Sequence, residues 1–189
     1  IYEAGTYEAH GATHPYIAME LVKGQPLLAY AQERNLGVRE RLTLIERVCE
    51  AVQHAHRNGV IHRDLKPANI LVDESGRPRV LDFGVARSTS REFNITSEHT
   101  GVGQLIGTLP YMSPEQVTGN PDDIDTRSDV YAIGVVLYQL LASRLPYALE
   151  DRSLPEAARI IRDEDPTPLS SVDRVFRGDI EMLVLKALE

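Results

Sequence analysis

Val60-Ile-His-Arg-Asp-Leu-Lys-Pro-Ala-Asn-Ile-Leu-Val-Asp-Glu-Ser-Gly-Arg-Pro-Arg-Val-Leu-Asp-Phe-Gly84 is the stretch from which the rest of this 189-residue chain can be read. Ile70-Leu-Val72 and Val80-Leu81 are short apolar runs on either side of the turn-forming Asp73-Glu-Ser-Gly76, a spacing that predicts a β-hairpin. Asp82 ends the second expected strand, and antiparallel pairing returns it to the side of Asn69. Asp64, Lys66, Asn69 and Asp82 therefore gather at the hairpin mouth.

Phosphoryl transfer has a use for that set, because it needs positioning and charge neutralisation more than covalent help. Mg²⁺ is a hard ion that takes a carboxylate or amide oxygen together with phosphate oxygens, and Asp82 and Asn69 offer both kinds. Lys66 supplies a point charge for a transferring phosphoryl group. Asp64 is a carboxylate placed to accept the proton of an attacking hydroxyl. Any one of these residues alone is an ordinary turn or surface residue; the combination carries the chemistry.

The combination resembles the eukaryotic-like (Hanks-type) serine/threonine protein kinases, and within them the bacterial members. His62-Arg-Asp-Leu-Lys-Pro-Ala-Asn69 matches the family's catalytic loop, Asp82-Phe-Gly84 its magnesium loop, and Ser113-Pro-Glu115 the end of its activation segment, with Ser where Ala is usual. The Lys-Pro after Leu65 is similar to serine/threonine rather than tyrosine kinases. The implied fold is α+β and protein-kinase-like: a mainly helical C-lobe, a catalytic β-hairpin and a two-stranded remnant of the N-lobe. Residues 1–20 would be that remnant, 20–24 the hinge, 25–189 the C-lobe and 82–115 the activation segment.

Bulk properties agree with a globular enzyme. Hydrophobic residues make up 42% and charged ones 25%, ordinary values for one domain with its own core. A formal net charge of −8 speaks against a nucleic-acid partner. Cys49 stands alone, so no internal disulfide is expected, and it falls on an apolar helical stripe that predicts a core position. No apolar run reaches the length of a bilayer span, and the expected location is cytoplasmic.

Residues 1–4 and 16–20 read as two strands joined by a loop that holds His10 and His14 as solvated residues. The pair is expected to dock on the helical part through the hinge. The resemblance makes Met19 a gatekeeper and gives Glu20, Leu21 and Val22 the adenine edge, with Leu71 on the facing side. Residues 26–35 predict a short helix. Leu42, Ile45, Val48, Cys49, Val52, Ala55 and His56 recur at helical steps up to Asn58-Gly59. Thr126-Arg-Ser-Asp129 has the pattern of a capping box before an apolar helix over 130–141. The resemblance adds a tie from Asp129 to the catalytic-loop backbone. Ser153-Leu-Pro-Glu156 is a second capping box, and a last helix begins at Asp179.

Residues 84–107 are polar and loop-like. The resemblance makes Arg63 and Arg87 a clamp for an activating phosphate, with Thr96, Ser97 and Thr100 as acceptors, and makes Thr108 a partner of Asp64 and Lys66. ATP and Mg²⁺ are the implied cofactors, and protein substrates with serine or threonine acceptors the implied partners. The family's glycine-rich loop and strand lysine have no counterpart here, since the three lysines are Lys23, Lys66 and Lys186. The chain is therefore expected to be an interior fragment, inactive alone and weak for ATP. A pseudokinase scaffold is the alternative, and a small-molecule phosphotransferase fits the Ser-Pro-Glu segment less well.

Overall fold

The computed structural model describes residues 2–9, 11–83, 107–119 and 123–189. Strands β1 (Glu3–Ala9) and β2 (Ala12–Ala18) pair antiparallel, with Tyr7 opposite His14, around a turn in which Gly11 has φ +76°. Both strands run well into the expected loop. Alternating Thr, Tyr and His side chains suit a pleated ribbon, and the His14 ring sits 5.4 Å from Tyr7 across it. Among the described residues, those of the hydrophobic core all lie outside this ribbon. Its aromatic side chains find one another instead, Tyr7 with His14 and Tyr16.

A second sheet is three-stranded, in the order β3 (Gly24–Pro26), β4 (Ile70–Asp73), β5 (Pro78–Val80), all neighbours antiparallel. Strand β3 has no counterpart in the sequence reading. Gly24 makes it possible, because a Cβ there would lie 2.7 Å from the Val72 carbonyl oxygen. The β4–β5 turn forms where expected, with Gly76 at φ +75°. Asp73 closes it by accepting from the Ser75 hydroxyl at 2.6 Å and from the Ser75 and Arg77 amides, each at 3.0 Å. These bonds, the Ser75 hydroxyl foremost, hold its carboxyl well below the usual carboxylate range.

Helices α1 (Leu27–Glu33) and α2 (Val38–Arg57) follow β3 in the chain. Glu40 reaches back to accept from the Gly37 amide at 2.8 Å, and Gly59 at φ +72° ends α2 as expected. The buried stripe of α2 is Leu44, Ile45, Val48 and Val52; Cys49 is exposed, contrary to expectation, because the helix turns its Leu44 side inward. Then come α3 (Pro114–Thr118), α4 (Thr126–Ala142), α5 (Leu154–Asp163) and α6 (Asp179–Ala187).

α4 is the centre of the core. It packs against α2 and α6, and Val135, Val136, Leu137, Tyr138 and Leu140 are all essentially buried. Each such side chain is worth about 1.5–3 kcal/mol relative to exposure. Gly134 lets α6 approach, since a Cβ would meet that of Ala187 at 2.9 Å. The cap of α4 differs from expectation: Asp125, not Thr126, is the N-cap and accepts from the Arg127 amide at 2.7 Å. Asp129 is thereby released from capping. The Ser153 box forms as expected, with Glu156 accepting from the Ser153 amide at 3.0 Å and its hydroxyl at 2.7 Å.

Candidate active site

The segment from Val60 to Asn69 enters β4 through a 3-10 turn, Pro67–Asn69, in which Pro67 needs no amide partner. That turn folds the candidate site residues over one another. Lys66 Nζ lies 3.1 Å from Asp64 Oδ1 and 3.0 Å from Oδ2, and donates to Thr108 Oγ1 at 2.7 Å. Asn69 Nδ2 donates to the Asp64 carbonyl at 2.8 Å and to Asp64 Oδ2 at 3.1 Å. Four residues expected together, Asp64, Lys66, Asn69 and Thr108, thus form one cluster. Thr108 reaches Asp64 only through Lys66.

Asp82 stands apart from that bonded set. The strand ends at Val80, two residues short of the expected end, and the last ladder bond runs from the Leu81 amide to the Asn69 carbonyl at 2.8 Å. Asp82 then takes φ +62°, which turns the chain out of the sheet and leaves its side chain exposed one residue beyond that bond. Arg63 also has a left-handed backbone, φ +68°. Such conformations cost about 1–3 kcal/mol each and persist where the surroundings over-determine them. Arg63 is held on both sides: its amide donates to Asp129 Oδ1 at 2.8 Å, and its carbonyl accepts from Gln116 Nε2 at 2.8 Å.

Two supporting residues were not singled out from the sequence as parts of the site. His62 is fully buried and donates from Nε2 to the Leu81 carbonyl at 2.7 Å, while its ring meets Phe83 edge-on at 4.9 Å. One imidazole therefore links the catalytic loop to the strand that leads into Asp82. Gln139 of α4 accepts from the Tyr111 hydroxyl at 2.7 Å and steadies the turn after Thr108; burial raises the Tyr111 phenol above its ordinary pKa. Glu115 accepts from the Ser128 hydroxyl. A motif position next to Asp64 pointed at His62, whereas nothing local pointed at Gln139.

The remaining expected positions are more open. Met19 is 41% exposed and Leu21 83%, so neither is shielded as the back wall of an enclosed pocket. Glu20 is exposed and Val22 half-buried in the link from β2 to β3, and Leu71 lies on β4 opposite Pro26 and Arg79. Arg63 Nε is buried without a hydrogen-bond partner among the described residues. Arg87, Thr96, Ser97 and Thr100 lie outside the described residues.

A carboxylate, an ammonium and a threonine hydroxyl bound in one line at the mouth of a β-hairpin fit the arrangement expected of a protein kinase. The chain belongs to that family: residues 4–175 match the family described as "Protein kinase domain". It is similar to "Serine/threonine-protein kinase PknB" of Mycobacterium tuberculosis (strain ATCC 25618 / H37Rv), 38% identical over 189 residues that make up 100% of this chain and 29% of that protein. The same name in Mycobacterium leprae (strain TN) marks a relative 36% identical over 189 residues, again 100% of this chain and 29% of the other. A "Probable serine/threonine-protein kinase PknB" of Corynebacterium glutamicum is 40% identical over 171 residues, 90% of this chain and 25% of that protein. The chain thus spans less than a third of the length of these curated relatives.

Proposed function

We propose that the intact protein transfers the γ-phosphoryl group of ATP to serine and threonine hydroxyls of other proteins. The supporting observation is the Lys66 ammonium, 2.7 Å from Thr108 Oγ1 and bonded to the Asp64 carboxylate. The activity in the relatives' names lies in the same direction.

Asp64, held by Lys66 and Asn69, orients the acceptor hydroxyl and takes its proton. Lys66 steadies the γ-phosphate, and Thr108 keeps the ammonium from swinging away. Met19, Glu20, Leu21, Val22 and Leu71 take the adenine. Asn69 and Asp82 fit a Mg²⁺ ion. Asn69 spends its amide nitrogen on Asp64, which leaves its oxygen as the ligand, and Asp82 is an open carboxylate. Phosphate oxygens and water would complete the shell, the usual arrangement for Mg²⁺. Bound there, the ion would neutralise phosphate charge.

Among the described residues Arg63 Nε has no hydrogen-bond partner, which supports a switch in which a phosphate on Thr96, Ser97 or Thr100 binds Arg63 and Arg87. Reliance on ATP puts the domain in the cytoplasm; no described helix is long and apolar enough to cross a membrane. The net charge of −8 supports protein rather than nucleic-acid substrates.

Asp64→Asn and Asp82→Asn in the full-length protein test the assignment: both should remain folded and lose transfer. More than about a tenth of the wild-type kcat in either, a loss under about 1.4 kcal/mol, refutes it. Phosphoamino-acid analysis of the product should show phosphoserine or phosphothreonine; predominant phosphotyrosine refutes the specificity.

A further inference from the structure

The Arg63–Asp64 peptide carries the carboxylate at the centre of the candidate site, and both of its polar atoms are held. Its oxygen accepts from Gln116 Nε2 at 2.8 Å, and its N–H donates to His62 Nδ1 at 3.3 Å, a long bond for a nitrogen donor. Gln116 is therefore the closer restraint. Its other end is engaged too: Oε1 accepts from the Ser113 amide at 3.0 Å and from the Ser113 hydroxyl at 3.3 Å. A backbone amide only donates and a carbonyl only accepts, so the Gln116 amide has a single orientation here. Ser113 is fully buried at the start of α3, just past the turn Leu109–Tyr111 that follows Thr108. One side chain thus joins the peptide ahead of Asp64 to the segment that leads on from Thr108.

We propose that Gln116 is a positioning residue for phosphoryl transfer, fixing the plane of the Arg63–Asp64 peptide from the side of α3. This rests on the kinase activity proposed above. Arg63 sits at φ +68°, a strained backbone that relaxes when a restraint is lost. Without the Gln116 donor the Arg63 carbonyl can swing, and the same rotation carries Asp64 with it. Residues 19–22 and Leu71, assigned to adenine, belong to other segments, so the signature is a loss in kcat with little change in KM for ATP. Gln116 also closes the capping box of α3, and that role alone would be purely structural. Glutamate separates the two roles. Its oxygens accept from Ser113 as the glutamine oxygen does, but a carboxylate has no N–H for the Arg63 carbonyl.

The test compares Gln116→Glu and Gln116→Leu with wild type in the full-length protein, at a temperature where circular dichroism shows all three folded. Gln116→Glu, with the cap intact, should lower kcat about tenfold and leave KM for ATP within about twofold. Gln116→Leu, which loses cap and donor together, should lose a similar factor in kcat and melt at a lower temperature than Gln116→Glu. Amide exchange at Asp64 should quicken in both variants, while that of Val135 and Val136 in α4 should not. A kcat for Gln116→Glu within about twofold of wild type, a KM for ATP that rises as far as kcat falls, or unchanged exchange at Asp64 overturns the proposal. If the wild-type protein transfers no phosphate, the kinase assignment fails, and the exchange comparison still decides whether Gln116 holds this peptide.

Discussion

Thr108→Val exchanges a hydroxyl for a methyl of nearly equal size and so isolates one bond, from Lys66 Nζ to Thr108 Oγ1 at 2.7 Å. Hydrogen bonds to a charged group contribute about 1.5–3 kcal/mol. The Lys66 side chain is 19% exposed, so water can replace part of the lost bond, which favours the lower end, about 1.5–2 kcal/mol. If Thr108 acts chiefly in the transition state, that loss lowers kcat/KM by about ten- to thirtyfold. The same bond contributes no more than that about 1.5–2 kcal/mol to the fold, a shift of at most about 3–8 °C in Tm. Steady-state kinetics on full-length wild type, Thr108→Val and Thr108→Ser make the comparison, with Thr108→Ser expected within about threefold of wild type because it keeps the hydroxyl. A Thr108→Val rate within about twofold of wild type, or Thr108→Ser as damaged as Thr108→Val, refutes the reasoning.

Gly134→Ala should destabilise the protein: overpacking against Ala187 costs about 1–3 kcal/mol, against a helix-propensity gain of about 1 kcal/mol, and an unchanged or raised denaturant midpoint contradicts this. Glu156 is held below its ordinary pKa by the Ser153 hydroxyl and amide, so its contribution is full above the ordinary glutamate range and is lost as pH falls through the lowered folded value. Glu156→Gln should then flatten the fall in Tm between about pH 5 and pH 3, and an identical slope in the variant tells against it. Exposed Cys49 should react with a thiol reagent in the native protein without loss of helical signal; protection until unfolding would return it to the core.

The bonded cluster was legible because most of it is local: Asp64, Lys66 and Asn69 fall within one short loop, and a hairpin pattern follows directly. Legibility fell where a neighbour decides. Leu42 and Leu44 both fit an apolar stripe on α2, and only packing against α4 selects the face that buries Leu44 and exposes Cys49. Thr126 and Asp125 both suit a cap, and Asp125 takes it while Asp129 is drawn to His62 and Arg63. β3 escaped notice because three residues carry no periodicity; its cause is the close approach allowed by Gly24. β1 and β2 run longer than expected because Thr, Tyr and His alternate along them and suit a pleated ribbon.

The Asp129 anchor also bears on how the chain folds. Asn69 and Asp64 are 5 residues apart, Lys66 and Thr108 42, and Asp129 and His62 67. Loop closure makes the distant contacts the slower ones to form. The hairpin and its local bonds can therefore assemble early, while the backbone ahead of Asp64 stays loose until α4 has condensed against α2. A refolding chain should regain hairpin structure before the amides of His62 and Arg63 gain protection from exchange, so their protection reports completion of the helical core.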